Sequence, residues 1–201
     1  MDVLAEVRPA AARGAPLRLE RVYLRHPLRA SIEEFIAVRY RQAYGARVTH
    51  FHPYLLGVRD AIGGWRAGAG YAPALTGALF VEQYLDQRVE QTLAAVLGRP
   101  VARSDIVEVG NLAAVTAGMG RVLVPRLAQH LHRLGYRWVV FTATRALRNS
   151  FLRLGLRPLR LASADPARLT DRGASWGEYY AHDPAVMAGR IALGMHADAC
   201  A

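Results

Sequence analysis

The stretch from Asp105 to Phe141 restricts the possible folds of this chain more than any other. Residues 105–115, DIVEVGNLAAV, are apolar and β-branched enough for a buried strand. That strand ends directly on the small-residue turn Thr116 to Gly120. Leu123, Leu127, Leu131 and Leu134 then recur at helical spacing, Gly135 closes the helix, and Trp138-Val139-Val140-Phe141 predicts a second buried strand. The unit is strand, turn, helix, strand. Pro125 removes one backbone hydrogen bond, so the helix is expected either to begin near Val122 or to bend. A glycine turn that opens a helix presents free N–H groups and the positive end of the helix dipole, a geometry suited to phosphate. In Ala117-Gly118-Met119-Gly120-Arg121 the glycines permit close approach of an anion and the arginine adds a forked cation.

The remaining segments suggest where other elements lie. Ser31 followed by Glu34 has the form of a capping box, with Ile32, Phe35, Ile36 and Tyr40 forming a helical stripe up to Gly45. Two antiparallel strands are expected between Val48 and Ala74, around the turn Asp60 to Gly64. Asp86 is placed to cap a second helix through Val89, Leu93, Val96 and Leu97, with Gly98 and Pro100 as its stop. Arg145 to Gly155 predicts a short basic helix, Leu159 to Leu161 a strand, and Val186 to Ile191 a last strand. Trp176 to Tyr180 is aromatic and loop-like. A length of 201 residues suits one domain, from Leu17 to the end, after a loose leader of residues 1–16 rich in Ala, Arg, Gly and Pro.

Composition bounds the function classes. Hydrophobic residues at 52% against 21% charged describe a globular chain. The net charge of +10 comes entirely from arginine, since lysine does not occur, and it favours phosphates, acidic carrier proteins, anionic lipid or nucleic acid. The arginines are dispersed over no recognisable nucleic-acid module, so no nucleic-acid partner is expected. Without a stretch of ~20 apolar residues or a signal-type apolar run, the expectation is a cytoplasmic protein that meets a membrane only peripherally. The single cysteine, Cys200, is next to the C-terminus and excludes an internal disulfide. His50 and His52 lack a third ligand of suitable spacing, and no metal site is expected. His130 and His132 are expected to face solvent. Gly68-Ala69-Gly70 imitates a dinucleotide fingerprint, but Pro73 follows where that motif needs a helix.

The turn Val115-Thr116-Ala117-Gly118-Met119-Gly120 and the later helix Asn149 to Leu156 resemble the GCN5-related N-acetyltransferase fold, whose fourth strand ends on a Q/R-x-x-G-x-G/A turn. Two positions depart from it. Val115 stands where that family has Gln or Arg, and Phe151 stands where many members place the tyrosine that protonates the leaving thiolate. The segments LFVEQYL (79–85), IVEVGNLA (106–113), FTATRALRN (141–149), RLGL (153–156) and WGEYY (176–180) resemble, over nearly the whole chain, the bacterial family called thermostable hemolysin. That family is similar in turn to acyl-homoserine-lactone synthases, with Glu108-Val109-Gly110-Asn111 where those enzymes carry Glu-x-Ser-Arg.

The resemblance implies an α/β, GNAT-like acyl-CoA N-acyltransferase fold with a mixed, mainly antiparallel sheet splayed between residues 106–115 and 137–144. It implies transfer of an acyl group from acyl-CoA or an acidic acyl carrier protein to a small amine, with the thioester as co-substrate and no tightly bound cofactor. The donor's pantetheine and phosphate would meet Leu112, Ala113, Ala117, Gly118, Met119, Gly120, Arg121, Thr144, Arg148 and Asn149. Aminolysis needs an amine freed of its proton, and Glu108, a carboxylate in an apolar strand, is the candidate base. Asn111 is the candidate for orienting the substrate, and Glu82 and Tyr84 for lining the acceptor pocket. The alternatives are a membrane-active lytic protein, as the family name implies, and a non-catalytic thioester-binding protein.

Overall fold

The computed structural model describes residues 16–195; residues 1–15 of the expected leader, and Cys200, lie outside them. Seven strands form one sheet: β1 (Arg18–Val22), β2 (Tyr54–Arg59), β3 (Trp65–Pro73), β4 (Ile106–Ala114), β5 (Trp138–Ala143), β6 (Leu159–Ser163) and β7 (Ala185–Arg190). Their order across the sheet is β1-β2-β3-β4-β5-β7-β6. Every pairing is antiparallel except β4 with β5. Those two meet only at Ile106–Trp138, Val107–Val139 and Glu108–Val140, and then diverge. The sheet is mixed, mainly antiparallel, and split at its centre just beyond Glu108.

Among the described residues the sheet is accompanied by the α-helices α1 (Arg29–Tyr44), α2 (Val89–Leu97), α3 (Gly120–Arg133), α4 (Arg145–Arg153) and the short α5 (Ile191–Gly194). Alternation along the strands sends side chains to both faces, and each face has its own core. On one face Val107, Val109, Phe141 and Met187 pack with Leu123, Leu127 and Leu131 of α3 and Phe151 of α4. On the other, Ile32 and Ile36 of α1 cover Val22 and Leu55, while Val81 and Leu93 cover Ile106, Val140 and Val186. Each such fully buried aliphatic side chain contributes about 1.5–3 kcal/mol.

A β-bulge interrupts β4. Gly70 pairs with Gly110 and Gly68 with Ala113, so β4 carries one residue more than β3, and Asn111 takes a left-handed φ of 51°. Before the bulge, Glu108 points to the α1 and α2 face. Beyond it the alternation is reset, so that Ala113 packs with α1 while Leu112 and Ala114 turn toward α3.

Several local expectations are corrected. Helix α1 begins at Arg29, ahead of Ser31, whose hydroxyl donates to Leu28 O and accepts from Trp65 Nε1, so no capping box forms there. Helix α2 begins at Val89 after Arg88, and Asp86 is drawn to Arg168 at 2.7 Å instead of capping it. Residues 48–53 stay outside the strand, which starts at Tyr54. Strand β1 has too few apolar residues to signal itself; its backbone is recruited by β2. Leu134 is half exposed at the end of α3, and His130 bonds Tyr71 Oη at 2.9 Å, so it is not a free surface group. Pro125 lies buried inside a helix that starts at Gly120.

The aromatic segment of residues 174–182 folds as two short 3-10 turns against the C-terminal end of α1. Arg47 N donates to Ser175 O at 2.7 Å and Glu178 N to Tyr44 O at 2.8 Å. Gly177 makes this approach possible: its φ is 53°, and a Cβ there would come within 2.1 Å of Tyr44 O. Gly177→Ala is therefore expected to destabilise the fold by about 2 kcal/mol or more, measured by urea denaturation, and to redshift tryptophan emission as Trp176 leaves its seat.

Candidate functional site

A cavity of about 410 Å3 occupies the split in the sheet and opens toward both faces. Its arm on the α3 and α4 face is apolar, lined by residues such as Val109, Leu123, Leu127, Phe141, Phe151 and Leu156. Its other arm is polar and aromatic. There Glu108 is joined by Tyr40 and Tyr44 of α1, His50, His52, Phe80, Thr142, Trp176 and Tyr179. The two arms meet where β4 and β5 part, because the missing ladder leaves space for a narrow chain to cross from one face to the other.

Glu108 is 3% exposed, and its carboxylate accepts hydrogen bonds from Phe80 N at 2.7 Å and Val81 N at 3.0 Å. These N–H groups open the 3-10 turn Phe80–Tyr84, so the local backbone dipoles also favour negative charge. Burial nevertheless dominates and pushes the carboxyl up to about 7; the two N–H donors pull it down, and the charge of Glu82 adds to the rise. The result is a carboxylate able to gain or lose a proton near neutrality.

His52 is buried, and its imidazole falls to about 4 through burial first and then the fields of His50 and Arg29, so it is neutral at neutral pH. Arg29 itself donates to Glu33, Pro53 O and His52 O. Burial raises the phenols of Tyr40 and Tyr179, which keeps both protonated. Tyr179 Oη donates to Thr142 Oγ1 at 3.4 Å.

The residues expected from the sequence are distributed unevenly around this cavity. Glu108, Asn111, Leu112, Ala113, Gly120 and Thr144 line it. Asn111 spends both ends of its amide on backbone, accepting from His52 N at 3.0 Å and donating to His50 O at 3.2 Å, which seats the His50–His52 segment beside the bulge. Thr144 is buried and caps α4 by accepting from Leu147 N. Arg148 is committed to Ala143 O and to Asp183, and Asn149 is exposed outside the cavity lining. Ala117, Gly118 and Met119 form a 3-10 turn leading into α3 at the cavity's edge, and Arg121 projects outward.

Glu82 and Tyr84 do not line the cavity. Glu82 accepts from Arg103 at 2.6 and 3.0 Å, from Leu79 N and from Val89 N. Burial acts to raise it, but these partners outweigh that and bring its carboxyl down to about 2. Tyr84 is buried, with its hydroxyl on Tyr180 Oη at 2.6 Å. Both residues hold the 3-10 turn that delivers the N–H groups of Phe80 and Val81 to Glu108. The cavity's aromatic wall was not apparent from residue spacing, although Phe80 and the pair Trp176 and Tyr179 fall inside two of the family-like segments. Only the fold brings them beside Tyr40 and Tyr44.

Solved structures share this architecture at low identity. The AHL synthase LasI superposes with a TM-score of 0.60 at 11% identity, covering 89% of this chain and 91% of that one. FeeM, an N-acyl amino acid synthase from uncultured soil microbes, gives 0.59 at 11% over 90% and 94%. MesI, a CoA-dependent acyl-homoserine lactone synthase, gives 0.57 at 14% over 90% and 92%. The chain has the GNAT-like acyltransferase fold. No curated protein matches the sequence. The pattern of the thermostable hemolysin family matches residues 22–195, and the chain belongs to that family. No helix among the described residues is long and apolar enough to cross a membrane.

Arg103 bridges Glu82 and Glu90, both at 2.6 Å, beneath the Phe80–Tyr84 turn. Removing it leaves the largely buried Glu82 without a cation and Glu90 with only the exposed Arg88 at 3.6 Å, so Arg103→Ala is expected to cost about 3 kcal/mol, read by chemical denaturation. Because the Glu82 carboxyl is lowered in the folded state, its stabilising contribution holds above its ordinary range near pH 4.5 and disappears as pH falls toward 2. In Arg103→Ala that acid-dependent contribution should be sharply reduced.

Proposed function

We propose that this protein transfers an acyl group from a pantetheine thioester, carried by coenzyme A or an acyl carrier protein, to a primary amine. The observation that carries this reading is Glu108: a buried carboxylate near neutral pKa, at the point where β4 and β5 separate and inside a cavity that runs through the sheet.

The thioester arm enters the split, where strand edges freed from each other offer backbone groups to an amide-rich pantetheine. Its acyl chain enters the apolar arm. Its phosphate lies against the turn Ala117 to Arg121, whose Met119 N–H is spent on Thr116 O, and the helix dipole of α3 and the Arg121 side chain favour an anion there. The glycines of that turn support this placement. Neither Gly118 nor Gly120 has a positive φ, and a Cβ would meet nothing within 4 Å at Gly120 and only Thr116 Oγ1, at 4.0 Å, at Gly118. Glycine there relieves neither strain nor internal crowding, and it leaves the backbone open to close approach from outside.

The amine approaches from the polar arm. Glu108 in its carboxylate form takes one proton from the ammonium, the freed nitrogen attacks the thioester carbon, the nitrogen gives up its second proton to water, and the carbon–sulfur bond breaks. Phe151 packs against Phe141 at 5.2 Å between ring centres and has no proton to donate. The leaving group does not require one: an alkyl thiol ionises near pH 8.5, so it departs readily as thiolate and is protonated by water.

Purified protein incubated with acyl-CoA and acyl-carrier thioesters of several lengths and a panel of amines should release thiol and form an amide of the expected mass. Glu108→Gln should lower kcat by about 10²–10⁴-fold. The rate should rise with pH through an apparent pKa near 7, since the base must be ionised, and this limb should vanish in the variant. Absence of both thiol release and thermal shift with every thioester would refute the reading.

A further inference from the structure

The polar arm of the cavity has a chemical character of its own. Five aromatic side chains line it: Tyr40, Tyr44, Phe80, Trp176 and Tyr179. They form one continuous wall, with ring centres 6.2 Å apart for Tyr40–Trp176, 5.8 Å for Phe80–Trp176, 5.3 Å for Trp176–Tyr179 and 5.1 Å for Tyr44–Tyr179. Beside this wall sits the single carboxylate of Glu108. Rings with negative faces beside a carboxylate attract a cation and repel an anion.

Among the described residues, no arginine lines this arm. The arginines that line the cavity are Arg157, which follows α4, and Arg190, whose guanidinium lies over the Trp138 ring, 5.6 Å from its centre. Two arginines of α1 donate to backbone carbonyls: Arg29 to His52 O and Pro53 O, Arg39 to Ala114 O and Val115 O. His52 is kept neutral. An acceptor bearing its own carboxylate would have to bury that charge against aromatic faces and Glu108, with no arginine of the described residues lining this arm, so its desolvation would go uncompensated.

Building on the acyltransferase reading, we propose that the acceptor is a cationic primary amine on an aromatic or apolar body and without a carboxylate, held against the Trp176 wall with its ammonium directed at Glu108. The reaction balances as R–NH3+ plus R′CO–SX giving R′CO–NH–R, HSX and H+. Glu108 carries the proton from nitrogen to solvent, and the electron pair of the broken carbon–sulfur bond leaves with sulfur. This acceptor class differs from an amino acid, the type named for FeeM.

The test compares matched acceptors on the unaltered protein: tyramine against tyrosine, phenethylamine against phenylalanine, and tryptamine against tryptophan, with one acyl-CoA as donor. Each decarboxylated amine should exceed its parent amino acid by at least about tenfold in kcat/KM. Trp176→Ala should raise KM for the amine while leaving the acyl-CoA thermal shift intact, and Trp176→Phe should largely restore it. Equal or reversed preference within the pairs would overturn the acceptor assignment and leave acyl transfer standing. Thiol release that never yields an amide with any acceptor would overturn the acceptor assignment, and absence of donor binding would overturn both.

Discussion

The structure depends on a pairing that stops. Strands β4 and β5 run parallel and bond through only three residue pairs, and the last of these on β4 is Glu108. Had the ladder continued, the sheet would be closed at its centre and its two cores would be separated by backbone. Because it ends, a cavity can cross from the apolar face to the aromatic one. A sheet interior usually cannot tolerate such a gap, since the freed N–H and C=O groups need partners. Here the freed edges border the cavity. The bulge at Asn111 bends β4 away from its neighbour, and the Asn111 amide satisfies backbone at His50 and His52.

The charge at the edge of this gap is controlled from below. Glu108 would be an expensive residue in an apolar strand, and two N–H groups of the Phe80–Tyr84 turn make its ionised form accessible. That turn is held in turn by Glu82, which accepts from Leu79 N, Val89 N and Arg103. Arg103 reaches on to Glu90 of α2 and to Ala74 O and Gly77 O. A chain of buried charge therefore runs from helix α2 to the candidate base. Residues that resemble substrate ligands in a linear motif, Glu82 above all, act in this support.

Much of the fold could be seen in the sequence where local signals agreed. The strand 105–115, the glycine turn, the leucine stripe of α3 and the strand starting at Trp138 all carry period, breaker and cap in the same register, and each of these signals coincides closely with an element of the structure. Signals resting on one residue fared worse. Ser31 and Asp86 have the side chains of helix caps, but tertiary partners claim both, Trp65 for the first and Arg168 for the second. Strand β1 exists because β2 offers an edge, and nothing in Arg18–Val22 announces it. Glu108 was legible as a lone carboxylate among β-branched residues. The aromatic wall was not, because Tyr40, Phe80 and Trp176 are far apart in sequence and meet only through Gly177 and the docking of residues 174–182 on α1.

The claim on which this account rests is that the split in the sheet receives the donor's thioester. A crystal structure with a non-hydrolysable thioether analogue of a medium-chain acyl-CoA tests it most directly. The account predicts the sulfur between β4 and β5 near Glu108, the alkyl chain in the arm lined by Leu127 and Phe151, and a phosphate on the backbone of Ala117 to Arg121. An analogue bound outside the split, with that arm closed and the glycine turn free of phosphate, would contradict it.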